Sequence, residues 1–267
     1  MTLAVCVAGV TGWTGRAVTE AVLAADDLSL VSGVSRSAAG RDVGEILDRD
    51  PIGVPVHATV ADAVRQADVL IDYTTAEAVR GHVLTAIAHG VSVVVGSSGL
   101  SAEDYRVIDA AARQQGVGVI AAGNFSITAA VLLSAALLAA RHLPSWEVID
   151  YASASKPDAP SGTAREIGER MAQIRQPTVE IAVAETVGSL QSRGTSIGGS
   201  QVHSVRLPGF VLATEVVFGL PDERLILRHD AGSSAAPYVA GTMLAARAVT
   251  GRVGLTRGLD TLLLGPS

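Results

Sequence analysis

Short β-branched runs alternate with alanine-rich stretches from Leu3 to about Phe125, and this alternation constrains the fold more than any other feature. The runs are Leu3–Ala8, Leu28–Val34, Val69–Asp72, Val91–Val95 and Gly118–Ala121. Helical patterns lie between them, among them Arg16–Ala25, Ala76–His89 and Ala102–Gln115. That spacing predicts βαβ units and a doubly wound parallel sheet of the α/β class. Right-handed crossovers then bring every strand's carboxyl end to one edge.

After an apolar helix at Ile127–Ala140 the pattern changes. Trp146–Ser153, Val179–Val187, Gln201–Leu207, Val211–Phe218 and Arg224–His229 read as strands, with turns at Pro208-Gly209 and Pro221-Asp222. One helix, about Gly162–Arg175, interrupts them. A second domain of α+β type with a mostly antiparallel sheet is expected. A last helix, Ala235–Val249, is expected to return to the first domain. The predicted division is 1–125 completed by 235–267, with 126–234 as the substrate-binding and oligomerisation domain.

Composition narrows the function. Aromatics are only 3% of the 267 residues against 48% apolar, so Ala, Val, Leu and Ile must build the core. Twenty basic and 26 acidic side chains give a net charge of −6 with no basic run, which argues against a nucleic-acid partner. The Ile127–Ala140 stretch is shorter than the roughly 20 residues that a bilayer span needs, so no membrane partner is expected. Met1–Ala8 lacks the basic start of a signal peptide. The one cysteine, Cys6, cannot build a disulfide framework, and the six histidines show no ligand spacing, so no metal is expected. The reading is a soluble, cytoplasmic protein.

The first strand runs into Gly9-Val10-Thr11-Gly12-Trp13-Thr14-Gly15 before a helical pattern. Glycines there let the backbone turn tightly and approach a pyrophosphate, whose charge then rests on amides at the helix start. Gly9, Thr11, Gly12, Trp13, Thr14 and Gly15 are therefore candidate cofactor-binding residues. The second strand ends at Ser35-Arg36, where an NAD site would place an acid for the ribose hydroxyls. A guanidinium suits a 2′-phosphate instead, so NADPH is the expected cofactor, with NADH possible. Further strand ends carry small or polar residues suited to the nicotinamide half: Tyr73-Thr74, Gly96-Ser97-Ser98 and Asn124-Phe125.

Lys156 is the only lysine; the other 19 basic residues are arginine. It lies in Ser155-Lys156-Pro157-Asp158-Ala159-Pro160-Ser161-Gly162-Thr163. A lysine offers a compact charge and a proton that an arginine cannot give up. Ser161 is a natural N-cap for the following helix. Ser161, Gly162 and Thr163 at that helix start, with Lys156, make a candidate carboxylate site.

Taken together, Gly9–Gly15, Gly96–Gly99, Asn124-Phe125-Ser126, Lys156–Ala164 and His203-Ser204-Val205-Arg206 resemble the 4-hydroxy-tetrahydrodipicolinate (dihydrodipicolinate) reductase family of the lysine pathway. The resemblance spans nearly the whole chain. It implies a Rossmann-type domain, an α+β substrate domain, hydride transfer from NAD(P)H to a cyclic imine-derived dicarboxylate, and a homo-oligomer, tetrameric through the substrate-domain sheets. Against the family pattern, the usual His pair is replaced by Ala152 and Ser153, Gly-Glu-His by Leu212-Ala213-Thr214, and an Arg by Ala235. The expected substrate is accordingly a cyclic imine or unsaturated carboxylate. Lys156 and Tyr151 are the candidate catalytic residues, His203 a further proton donor, and Ser153 joins the substrate-binding set.

Two alternatives stand beside that reading. One is a specialised-metabolism oxidoreductase that reduces a different imine, enone or carbonyl. The other is a non-catalytic protein that keeps a cofactor fold.

Overall fold

Val69–Asp72, Ser92–Val95 and Gly118–Ala121 are buried at every residue, as strands covered by helices on both faces must be. In the computed structural model, which describes residues 2–264, they are β4, β5 and β6. In chain order the elements are β1 (Leu3–Ala8), α1 (Trp13–Leu23), β2 (Leu28–Val34), α2 (Val43–Ile46), β3 (Val56–His57), α3 (Val60–Ala63), β4, α4 (Ala76–Ala88), β5, α5 (Ala102–Gln115) and β6. Then follow α6 (Ile127–His142), β7 (Ser145–Ala152), α7 (Gly162–Ile174), β8 (Thr195–Ile197), β9 (Ser200–Arg206), β10 (Leu212–Leu220) and β11 (Glu223–Ala231). The last are α8 (Ala236–Val249), β12 (Gly254–Arg257) and α9 (Asp260–Leu264).

The chain divides into two compact units, Met1–Ile127 with Ala235–Ser267, and Thr128–Ser234. The first holds a parallel seven-stranded sheet in the order β12-β6-β5-β4-β1-β2-β3. The strand order reverses beside β1, and in open α/β sheets ligands bind at the carboxyl edge of such a switch point. Arg247 on α8 clamps Asp27 at 2.6 and 2.8 Å, and Tyr73 meets Thr242 of α8 through a 2.6 Å hydroxyl contact. Helix α1 begins at Trp13, three residues before the expected Arg16, so Trp13, Thr14 and Gly15 form its first turn. Strands β3 and β12, too short for a periodicity signal, extend the sheet at its two edges.

The second unit carries a five-stranded sheet in the order β11-β10-β7-β9-β8. Three of its four pairings are antiparallel; β7 and β9 run parallel. Burial alternates strictly along β7, putting Trp146, Val148, Asp150 and Ala152 on the inner face and Glu147, Ile149 and Tyr151 on the other. The inner face packs with Leu133, Ile167, Met171 and Phe218.

The strand expected at Val179–Val187 is a correction. The segment contains only a 3-10 turn, Val183–Glu185, because its apolar residues have no face to cover: Ile181 is 62% exposed and Val187 wholly so. Strand β8 completes the sheet in its place. Among the described residues no helix is long and apolar enough to cross a membrane.

Candidate active site

The amino end of α1 is left open. Its N-cap is Gly12, which has no side chain to satisfy the first-turn amides, and no acid occupies that turn. Every α-helix start carries such orphan donors with partial positive charge. The surrounding loop has no spare volume for side chains. Gly9 sits at φ +88°, a conformation that favours glycine. A Cβ on Gly15 would overlap the Gly9 carbonyl, and one on Gly9 would overlap the carbonyl of Tyr73. Bare backbone with unused amides is what a dinucleotide pyrophosphate requires. Trp13 is exposed and packs edge-on against Tyr238 at 5.9 Å.

Beside this loop, a hydroxyl chain joins the ends of β1 and β2. Thr11 Oγ1 lies 3.3 Å from Ser35 Oγ, which lies 3.2 Å from Ser37 Oγ. Arg36, between Ser35 and Ser37 in the chain, is exposed and without an ion pair among the described residues. The nearest acids are committed elsewhere: Asp42 caps α2 and Glu45 pairs with Arg41.

Several other predicted cofactor contacts turn inward. Thr74 Oγ1 and Ser97 Oγ both donate to Asp72, at 2.7 and 2.6 Å. The Tyr73 hydroxyl is taken by Thr242, and burial pushes its phenol well above the ordinary tyrosine range. Asn124 Oδ1 accepts from Ser126 N–H at 2.8 Å, and Phe125 is a core residue only 2% exposed. Among these positions only Ser98 is exposed. Gly96 is required by Tyr73, whose ring a Cβ would overlap.

In the second unit, Lys156 closes a turn, with its N–H bonded to the Ser153 carbonyl at 3.0 Å. Its ammonium is 2.7 Å from Asp158 Oδ1. Ser153 Oγ lies 2.9 Å from Ser155 Oγ, which keeps Ser153 within the turn. Ser161 caps α7, its hydroxyl accepting from Ala164 N–H at 3.3 Å. Gly162 and Thr163 form the first positions of that helix.

Composition and spacing did not identify what holds this loop. Asp150 is fully buried and accepts from Ser161 N–H (2.8 Å), Ser204 Oγ (3.2 Å) and Arg206 Nη2 (2.8 Å). Arg206 also donates to the Asp158 carbonyl at 2.8 Å. One partly buried ion pair therefore fixes the strand, the loop and the helix start together. Two predicted donors are not brought to the loop. Tyr151 lies on the opposite face of β7 from Asp150, under Arg228 (4.9 Å) and beside Phe210 (5.1 Å). His203 pairs with Glu147 at 2.8 Å, a residue of that same opposite face. Ala152 is fully buried.

A cavity of about 470 Å³ lies at the other edge of the first sheet, beside Asp68, Ser92 and Val117 at the starts of β4, β5 and β6. It is at the amino ends of the strands, away from the switch-point edge. Among the described residues no cluster of three or more His, Cys, Asp or Glu could hold a metal.

Comparison with known proteins gives two family-model matches that together span nearly the whole chain. Residues 3–125 match the model of the dihydrodipicolinate reductase N-terminus, and 126–263 match its C-terminus. The chain belongs to this reductase family. It is 37% identical to the 4-hydroxy-tetrahydrodipicolinate reductase of Synechococcus elongatus, covering 97% of this chain and 98% of that one. Identity is 36% with the Desulfitobacterium hafniense enzyme of that name, at 97% and 98% coverage. A solved dipicolinate-bound dihydrodipicolinate reductase from Paenisporosarcina superposes with a TM-score of 0.76 at 28% identity, over 98% of this chain and 99% of that one. The chain is thus an oxidoreductase of the NAD(P)H-dependent reductase type.

Proposed function

We propose that this chain uses NADPH to reduce a small, carboxylate-bearing cyclic imine, with the substrate of its named relatives as the first candidate. Near full-length identity to 4-hydroxy-tetrahydrodipicolinate reductases carries the reading. The preference for NADPH rests on Arg36, exposed beside three hydroxyls with no competing acid. Bound there, the nicotinamide supplies a hydride. The open first turn of α1 and the glycines around it would hold the pyrophosphate, and Arg36 would hold a 2′-phosphate.

Lys156 would grip the substrate carboxylate in exchange for Asp158, helped by the Gly162 and Thr163 positions at the start of α7. Its ammonium is also the candidate proton donor to an imine nitrogen. Hydride addition to an already protonated iminium needs no separate acid at carbon, so Ala152 and Ser153 are compatible with turnover. The buried, apolar Ala152 favours one second reading: a less charged imine or enone from another pathway.

The test is loss of nicotinamide absorbance with substrate generated in place by the preceding synthase of the lysine pathway. Turnover is expected, with kcat/KM falling at least about tenfold in Lys156→Ala while NADPH affinity holds. Absent turnover with intact NADPH binding would move the assignment to the second reading.

A further inference from the structure

Asp72 is a fully buried carboxylate on the last residue of β4, at the carboxyl edge where the cofactor is proposed to lie. Such a charge is costly unless every lone pair finds a donor. Oδ1 accepts from Thr74 N–H (3.0 Å), Thr74 Oγ1 (2.7 Å) and Ser97 Oγ (2.6 Å). Oδ2 lies 2.9 Å from His82 Nδ1, which is also 3.3 Å from Thr74 Oγ1. Ser97 Oγ in turn accepts from Thr74 N–H at 2.7 Å. One carboxylate therefore joins the β4–α4 loop, the β5–α5 loop and the middle of α4. An asparagine would remove the negative charge and could accept on only one of its two side-chain atoms, so it would keep the network only by reversing the bond to His82.

These loops are also in contact with the glycine loop. A Cβ on Gly9 would strike the Tyr73 carbonyl, one on Gly96 the Tyr73 ring, and one on Gly99 (φ +109°) the Cβ of Ala76. With so little slack, a shift at Thr74 is passed to Gly9 and Gly96 rather than absorbed. We infer that Asp72 and His82 act as a positioning pair that holds these three loops in the shape that accepts the dinucleotide. Neither residue touches the cofactor. The inference rests on the proposed cofactor site, and it adds a determinant common to NADPH and NADH, unlike Arg36.

The test is calorimetric titration of the full-length protein with NADPH and, separately, NADH. His82→Leu removes the donor at an already half-buried position and should weaken both cofactors about tenfold, with their ratio unchanged. His82→Asn restores a donor near the Nδ1 position and should stay within about threefold of the parent. Asp72→Asn should lose at least as much as His82→Leu. Parent-like affinity in His82→Leu, even with a lowered Tm, would make the pair a structural staple and overturn the inference. If the parent protein binds neither cofactor, the proposed cofactor site falls first and the inference with it.

Discussion

Helices α1 and α7 begin in opposite ways. The start of α1 is capped by Gly12 and leaves its amides unspent, whereas Ser161 caps α7 and is tied from below to Asp150. The first, proposed to hold the cofactor's pyrophosphate, is made of backbone and is open because side chains are missing. The second is a loop made of side chains, where the cap itself is closed and the charge comes from Lys156. Recognition of a phosphate can be left to geometry shared by many helices. On the proposed reading, recognition of one particular substrate falls to a charged group on a loop held by a network around Asp150.

The sharpest way to break the comparison is Asp150→Asn. It leaves the partly buried Arg206 guanidinium beside a neutral amide, and thermal or urea unfolding should show a loss of about 3 kcal/mol. NADPH affinity should be unchanged, since the network lies wholly in the second unit. The converse change is Gly15→Val, whose Cβ meets the Gly9 carbonyl. It should cut NADPH affinity about 100-fold by calorimetry. Arg36→Asp should cost about tenfold for NADPH and little for NADH; equal losses would remove the 2′-phosphate assignment.

The smallest effect concerns His229, buried on β11, whose pKa is held below the ordinary value of 6.5 mainly by desolvation and only partly restored by Asp230. The unfolded chain therefore takes up that proton first. Its contribution to stability is complete above the ordinary histidine range and is lost as pH falls through the lowered folded value. His229→Gln should flatten that part of a Tm-versus-pH curve.

The same contrast governs what could be read from the sequence. The glycine loop's shape was legible, because glycine spacing between a strand and a helix dictates that tight turn. Lys156 stands out in the sequence by its rarity. The Asp150–Arg206 pair was not, since its members lie 56 residues apart and meet only through the parallel β7–β9 register. Asp72 looked like the end of a hydrophobic strand, and nothing in the local pattern linked it to His82. The face on which Tyr151 lies follows from the two-residue period of a strand, which sends it to the side of β7 opposite Asp150. Val179–Val187 had strand composition but no sheet position to fill.

The returning C-terminal segment has a consequence in time. The Tyr73 hydroxyl finds its partner in Thr242, 169 residues further along, and the edge strand β12 is later still. During synthesis the N-terminal part of the first unit therefore emerges first but stays without α8 and β12 until the other unit has been translated. N-terminal units ordinarily complete themselves early; in this chain the second unit is finished while the first is still waiting for its last helix and strand.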